Sequence, residues 1–242
     1  SLKRITFWGS LALLASTLLA IALVTVYVSP LEIIKSISQA LGFNPVPVAG
    51  SGAPEVNWTL IILIRLPRVF AAILAGAGLA LAGTAMQGIF RNPLAEPGIL
   101  GVSAGASLGA LVSIAFGAFS FLTLPLYAFA GALLAVLIIL GLSTMTSGSG
   151  KTTVLILAGM AVSAFFSALT SLILVLASEY QVSSYIFWTL GGLSNRRWEH
   201  VWLMAVPLLL VGALLLYRGR DLDILLLGDE EARSLGVSPQ AT

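Results

Sequence analysis

The sequence predicts an all-α, polytopic membrane protein. Hydrophobic residues make up 58% of the chain and charged residues only 9%, whereas a soluble domain carries about 25% charged residues. The hydrophobic residues form continuous runs, some as long as the roughly 20 residues that a spanning helix needs. A membrane barrel would instead show alternation over about ten residues in each strand. Composition and pattern therefore both favour a bundle of spanning helices.

Six apolar stretches qualify as spans of one transmembrane domain, 1–242. We predict them at about 5–28, 67–90, 98–118, 125–145, 152–177 and 199–217. The first run is too long for the core of a signal peptide, so we expect a retained helix. Segment 58–66 is apolar but ends at Arg65 and Pro67, so we expect it to lie at the membrane surface and to lead into the second span. The stretch 178–198 is interpreted as a polar break, and 218–242 as a cytoplasmic coupling region.

The basic residues give a weak bias toward a cytoplasmic N-terminus. In that orientation the cytoplasm receives Lys3, Arg4, Arg91, Lys151, Arg218, Arg220 and Arg233, and the outside receives Lys35, Arg65, Arg68, Arg196 and Arg197. The outer arginines of R-L-P-R, Arg65 and Arg68, have two explanations. Their stems can lie along apolar surface at the interface, or their guanidinium groups can bind carboxylates on a soluble partner.

Two stripes of small residues recur every fourth position, as expected of helices that cross closely. One comprises Ala72, Gly76, Ala80, Thr84 and Gly88, and the other Gly101, Gly105, Gly109, Ser113 and Gly117. Either stripe could instead line a pore. Close packing is the interpretation that we prefer, because lipid provides little hydrophobic force to hold helices together.

The chemistry-bearing residues favour neither an ion-coupled carrier nor an enzyme. No charged residue lies in the middle of a predicted span, where carriers keep the group that binds the coupling ion. The chain has no cysteine and one histidine, His200, which is a poor basis for a metal site. Glu96 and His200 fall on opposite faces of the predicted topology, so they cannot act as one acid–base pair. Scattered basic residues give no indication of nucleic-acid binding.

Two further stretches combine turn residues with charges. F-R-N-P-L-A-E-P-G-I-L-G, residues 90–101, stops one helix and starts the next with its prolines, and is either a plain turn or irregular backbone beside a cavity. D-L-D-I-L-L-L-G-D-E-E-A-R-S-L-G, residues 221–236, predicts two short helices joined at Gly228, the first capped by Asp221. Leu225, Leu226 and Leu227 would give an apolar patch for a protein partner. An amphipathic surface helix is the alternative.

The stretch T-S-G-S-G-K-T-T, residues 146–153, is similar to a phosphate-binding loop. That motif needs a glycine five residues before Gly150 and a strand leading into it. Position 145 is Met and the preceding run, 130–142, is apolar and of helical length. We therefore interpret the stretch as a polar turn between two helices.

Taken together, these motifs resemble the permease subunit of the FecCD family. R-L-P-R, R-N-P-L-A-E-P-G-I-L-G-V-S-A-G-A and G-D-E-E-A-R-S-L-G-V carry the resemblance, which extends over essentially the whole chain. It implies an ABC importer type II permease fold and import of an iron–siderophore complex, haem or cobalamin. It also implies ten spans in a complete member, of which this chain matches the first six, so that we expect the last four to be missing here.

The resemblance also implies roles for individual residues. Arg65 and Arg68 would dock an extracytoplasmic substrate-binding protein, and Asn92, Leu94, Thr152 and Thr153 would belong to a cytoplasmic gate. The coupling segment that contacts the ATPase would comprise Leu227, Gly228, Asp229, Glu230, Glu231, Ala232, Arg233, Ser234, Leu235 and Gly236. The fifth span would line the pathway with Ser163, Ser167, Thr170 and Ser171. The hydroxyl groups of these four residues could instead bond to their own helix backbone.

The implied assembly is a homodimer of permeases in the inner or plasma membrane, with two ABC ATPase subunits and a binding protein. The chain itself would need no cofactor or metal and would not be an enzyme, because ATP–Mg would bind the partner subunit. A secondary carrier or channel without an ATPase is the main alternative, and a non-transporting scaffold or fragment is another. The sequence does not select among the possible chelates.

Overall fold

A computed structural model describes residues 2–23, 38, 60–118, 120–144, 151–226 and 228–236. These residues form helices joined by turns, and no strand occurs among them. The expected all-α fold class is therefore confirmed. In chain order the described helices are α1 (Leu2–Leu23), a π-helical segment (Leu60–Arg65), α2 (Leu66–Phe90), a 3₁₀ turn (Pro97–Leu100), α3 (Val102–Ala115), α4 (Thr123–Thr144), α5 (Lys151–Leu176), α6 (Glu179–Leu190), α7 (Trp198–Tyr217), α8 (Gly219–Leu225) and α9 (Asp229–Ser234).

Several of these helices match the thickness of a bilayer. Among the described residues, four stretches are long and apolar enough to span: Leu60–Phe90, Thr123–Thr144, Thr153–Leu176 and Trp198–Tyr217. They carry large apolar side chains on their outer surfaces, such as Leu137 and Leu210. An aqueous surface would not favour this pattern, whereas lipid does. The chain is thus a multi-pass helical membrane protein.

Segment 58–66 was expected to lead into the second span, and residues 60–65 form a π-helical turn that runs directly into α2. Two other parts of the structure differ from the prediction. The predicted span 98–118 is divided at Gly101, whose φ of 68° lies in the left-handed region, into the 3₁₀ turn and α3. The predicted polar break at 178–198 contains α6, which was not expected.

The chain divides into two compact units. The first comprises Ser1–Gly78 and Leu193–Leu216, and the second Leu79–Gly192 and Tyr217–Thr242. The N-P-L turn (residues 91–95) and the hairpin formed by α8 and α9 (residues 219–236) both belong to the second unit.

The second unit is organised around a close crossing of α3 and α4. A methyl group on Gly105 would overlap the carbonyl oxygen of Gly131, and one on Gly109 would overlap the carbonyl oxygen of Tyr127. Gly101, Gly105, Gly109 and Ser113 are all buried. The second stripe of small residues is therefore a packing surface over these four positions, as the every-fourth-residue spacing predicts.

Helix α5 packs against both α3 and α4, and its contact with α4 is centred on a cluster of apolar side chains. The buried members of this cluster are Ala135 and Ile139 of α4 with Ala158, Val162 and Phe166 of α5. Helix α6 has no buried residue and is joined to α3 by a side-chain hydrogen bond. Ser178 and Gln181 form a capping box at its N-terminus, and Gln181 Nε2 donates to the carbonyl oxygen of Ala115 at the end of α3, 3.1 Å away.

In the first unit, Trp198 binds the π-helical turn through a hydrogen bond and packs against the helix that follows. In a π-helix the N–H of residue 67 would bond to the carbonyl of residue 62, but Pro67 has no N–H. The indole Nε1 of Trp198 donates to the carbonyl oxygen of Ile62 instead, at 2.9 Å. The Trp198 ring also lies against Phe70, with 5.5 Å between the ring centroids. This pairing fixes the start of α7 against the segment that carries Arg65.

Candidate functional site

The two arginines of R-L-P-R occupy different environments. Arg65 ends the π-helical segment and is only 4% exposed, whereas Arg68 lies in the first turn of α2 and is exposed. Pro67 between them is buried, which suits a residue whose fixed φ starts a helix. In this conformation the Arg68 side chain is accessible at the surface and the Arg65 side chain is not.

The C-terminus of α2 ends in a Schellman motif with arginine at the left-handed position. Arg91 has a φ of 50°. Its N–H bonds to the carbonyl of Gly88 at 3.4 Å, and the N–H of Asn92 bonds to that of Gln87 at 3.3 Å, which are the two bonds that define the motif. Glycine is usual at this position, and a side chain there costs about 1–2 kcal/mol.

The side chain of Asn92 holds the N-P-L turn that follows. Its Oδ1 accepts a hydrogen bond from the N–H of Leu94 at 2.9 Å, and its carbonyl accepts one from the N–H of Ala95 at 3.0 Å. Ala95 is buried, whereas the Leu94 side chain is 83% exposed. The turn therefore projects one large apolar side chain, and the two candidate gate residues Asn92 and Leu94 have distinct roles as support and surface.

The predicted hairpin is present, with Gly228 between its two helices. Gly228 has a φ of 128°, and a side chain there would overlap the carboxylate of Glu231. Ala232 is fully buried, whereas Glu231, Ser234, Leu235 and Gly236 are exposed. Leu227 lies outside the described residues, and Asp229, Glu230 and Arg233 are placed by backbone only.

Two details of the hairpin differ from expectation. Arg218, not Asp221, occupies the N-cap position of α8, and Asp221 lies in the first turn, where its charge still suits the helix dipole. Leu225 is 7% exposed and Leu226 is 52% exposed. The predicted leucine patch is thus divided between the interior and the surface, since successive helical residues point in different directions.

Arg91 connects the N-P-L turn to the hairpin. Its Nε donates to the carbonyl oxygen of Leu225 over 2.6 Å. Near this bond, Leu222 of α8 lies beside Gly88 of α2. A methyl carbon added to Gly88 would be 3.9 Å from the Leu222 Cβ, which is an ordinary van der Waals distance. Sequence reasoning did not identify Arg91 as functional. The available signal was an arginine at the end of a helix, directly before Asn-Pro, where glycine would be the ordinary choice.

The residues predicted to form a second gate element lie at the start of α5. Helix α5 begins at Lys151, so Thr152 and Thr153 belong to its first turn; Thr153 is exposed, and Thr152 is placed by backbone only. Residues 145–150 lie outside the described residues. Helix α4, not a strand, precedes them, and this argues against a phosphate-binding loop.

The four hydroxyl residues of α5 do not share one environment. Ser163 Oγ donates to the carbonyl of Gly159 at 2.8 Å, and Ser171 Oγ to that of Ser167 at 3.0 Å. Ser167 is exposed, whereas Thr170 is 8% exposed and its Oγ1 has no hydrogen-bond partner among the described residues. Ser163 lies against Gly101, where an added methyl carbon would be 2.9 Å from its Oγ. Bonding to the helix backbone thus accounts for two of the four hydroxyls.

Comparison with known proteins identifies the family. Residues 12–242 match the model of the FecCD transport family. The chain is 38% identical over 192 residues to the cobalamin import system permease protein BtuC of Halobacterium salinarum, covering 79% of this chain and 51% of that protein. It is 40% identical over 190 residues to the hemin transport system permease protein HmuU of Yersinia pestis, covering 76% and 56%.

A solved structure gives the same result for the fold. An ABC transporter of the metal-chelate type in an inward-facing conformation superposes with a TM-score of 0.72 and 33% identity, covering 87% of this chain and 67% of that one. The chain spans about half the length of the two permease proteins just described. Since the family model covers nearly all of the sequence, this chain belongs to the FecCD transport family.

Proposed function

We propose that this chain forms part of the permease subunit of an ABC importer that moves a metal chelate into the cytoplasm. The family match over residues 12–242 carries the proposal. An iron–siderophore complex, haem and cobalamin are the candidate cargoes, and two of the relatives are named for cobalamin and hemin. These two molecules share a metal held in a large organic ligand, which is the coarser substrate class that we assign.

The proposed assembly contains two permeases, two ATPase subunits and an external binding protein in the cell membrane, with the N-terminus in the cytoplasm. ATP and Mg²⁺ bind the ATPase, and the permease contributes a gated passage. Alternating access then requires two arrangements of the permease pair, with ATP favouring one of them. The binding protein supplies affinity for the cargo, so the passage needs no strong binding site of its own.

Docking of the binding protein is proposed at the start of α2. Arg68 is exposed there, and a guanidinium group binds carboxylates in a bidentate manner. Arg65 was included on the basis of the motif, but its side chain is buried in this structure. We therefore assign the direct contact in this conformation to Arg68, while a contact by Arg65 would require the π-helical segment to rearrange.

Coupling and gating are proposed at the opposite side of the predicted topology. The exposed part of the hairpin, including Glu231, Ser234 and Leu235, would contact the ATPase. Leu94 at the tip of the N-P-L turn and Thr152 and Thr153 at the start of α5 would form the cytoplasmic gate. Structural proximity supports the pairing of the hairpin with the N-P-L turn, because the two are in direct contact. Thr152 and Thr153 are included on the basis of the family resemblance.

The experiment is reconstitution in proteoliposomes of the complete permease that contains this chain, together with its ATPase. ATP hydrolysis is measured against the concentration of loaded binding protein, with ferric siderophore, haem and cobalamin tested in parallel. We expect stimulation by one loaded form. Arg68→Glu should raise the concentration for half-maximal stimulation by roughly tenfold or more, since like charges would then face each other. Arg197→Glu, at another exposed arginine on the predicted outer side, is the matched control.

The alternatives give different results in the same assay. A secondary carrier or channel would move cargo without ATP and ignore the binding protein, and a scaffold would move none. Hydrolysis that does not respond to any loaded binding protein in the wild type would overturn the importer proposal. Equal effects of Arg68→Glu and Arg197→Glu would overturn the assignment of docking to Arg68 alone.

A further inference from the structure

We infer that Arg91 transmits movement of the hairpin to the N-P-L turn, and is therefore a positioning residue of the transport cycle. The inference rests on the proposed function and concerns the connection between its coupling and gate elements. The observation that carries it is the hydrogen bond from Arg91 Nε to the carbonyl oxygen of Leu225, which joins residues 134 positions apart in the sequence.

The accepting carbonyl lies where a cation is favourable. Leu225 is the last residue of α8, and the final carbonyls of a helix lack partners within the helix and carry partial negative charge. The residue is 7% exposed, so water competes little for its carbonyl. The same oxygen accepts the N–H of Gly228 at 3.3 Å. Arg91 thus binds the point at which the hairpin turns.

The backbone of Arg91 is equally well placed on the gate side. It occupies the left-handed position of the Schellman motif and is followed at once by Asn92, whose side chain fixes the N–H of Leu94. A displacement of the Leu225 carbonyl is therefore passed through one side chain to the start of the turn. This gives a reason for arginine at a position where glycine would cost less: the side chain provides the link.

An apolar contact stabilises the same junction. Gly88 is buried beside Leu222, one turn before Arg91. The hydrogen bond and this contact hold α8 at two separate points on the end of α2. A hairpin that is held at two points moves together with the turn, whereas one held only by the apolar contact can slide, because apolar contacts have little directional preference.

The test compares three variants of the complete transporter in proteoliposomes. Arg91→Gly removes the guanidinium but supplies the residue that the left-handed position prefers, so the turn itself is preserved. Arg91→Gln removes the charge and keeps a side chain. Arg4→Gln removes an exposed cation from α1, on the predicted cytoplasmic side and outside the coupling region, and is the matched control.

The first readout is cargo transported per ATP hydrolysed. We expect this ratio to fall by roughly tenfold in Arg91→Gly and Arg91→Gln, on the scale of one lost charge-assisted hydrogen bond, and to stay near the wild-type value in Arg4→Gln. The second readout is hydrogen exchange of the backbone amides between Leu225 and Ala232, which should become several-fold faster in the two Arg91 variants only.

The outcomes separate the inference from the proposed function. Faster exchange with an unchanged transport ratio would make Arg91 a structural residue and overturn the inference alone. Unchanged exchange in Arg91→Gly would overturn the link itself. A wild-type complex whose hydrolysis ignores every loaded binding protein would overturn the proposed function, and the coupling role of Arg91 with it. A tenfold loss of the ratio in both Arg91 variants, with a normal ratio in Arg4→Gln, supports the inference.

Discussion

Alanine at Gly131 tests the close crossing of α3 and α4. The added methyl group would overlap the carbonyl oxygen of Gly105 and lie 3.0 Å from its carbonyl carbon and 3.1 Å from the Cα of Gly109. All three atoms belong to the backbone of α3, so no side-chain rotation relieves the overlap. The two helices must therefore separate.

The expected cost follows from this geometry. Overpacking a well-packed site costs about 1–3 kcal/mol, and the rigid backbone places Gly131→Ala at the upper end, at about 2–3 kcal/mol. Separation of the helices also weakens the dispersion contacts along the whole crossing. Gly141 lies on the same helix with no atom within 4 Å of an added methyl group. There alanine should be neutral or stabilise by about 0.5–1 kcal/mol, because it restricts the unfolded chain and favours the helix.

The assay is reversible unfolding of the purified protein in mixed micelles, titrated with sodium dodecyl sulfate and followed by tryptophan fluorescence. The two variants share chemistry and helix and differ only in what the methyl group meets. Gly131→Ala should unfold at a distinctly lower detergent fraction than Gly141→Ala. Unfolding free energies within about 0.5 kcal/mol of each other would show that α3 and α4 are not in backbone contact, and the packing argument would be wrong.

Two other pairs of substitutions are measured in the same titration. Trp198→Phe keeps an aromatic ring beside Phe70 but removes the Nε1 donor to the carbonyl of Ile62, so we expect the unfolding free energy to fall by about 1 kcal/mol. Trp202→Phe is the control and should leave it unchanged, because the Trp202 side chain is 65% exposed. Equal stability of the two variants would refute the role of that hydrogen bond. Gly101→Ala and Gly117→Ala both place alanine at a φ of 68°, but only Gly101 faces Ser163 and Gly159. Gly101→Ala should therefore lower the unfolding free energy by at least about 1 kcal/mol more than Gly117→Ala. Similar costs would show that Ser163 and Gly159 move to make room for the added methyl group.

The sequence was enough to place three of the long helices close to their observed bounds, because lipid imposes a simple rule. Long apolar runs must become helices that satisfy their own backbone hydrogen bonds, and α4, α5 and α7 lie close to their predicted bounds. Short helices outside the apolar runs lack this signal. Helix α6 was missed for that reason, although Ser178 and Gln181 have the spacing of a capping box.

The candidate site was predicted as separate motifs, but not as a connected structure. R-N-P-L and the hairpin motif are more than a hundred residues apart, and neither contains information about the other. Their contact depends on the side chain of Arg91 and on the end of α8. The different burial of Arg65 and Arg68 was equally invisible, because a motif gives residue types and spacing while burial depends on the helices packed around them.

The two stripes of small residues show what such a pattern does and does not determine. The stripe on α3 is buried against α4 over Gly105 and Gly109. The stripe on α2 has the same spacing, yet Ala72, Gly76 and Ala80 are exposed, and Gly88 is buried beside Leu222. Small residues permit backbones to approach, but the approach itself requires a partner helix placed there by the rest of the fold. A stripe therefore predicts a capacity for close packing, and only the tertiary structure shows where that capacity is used.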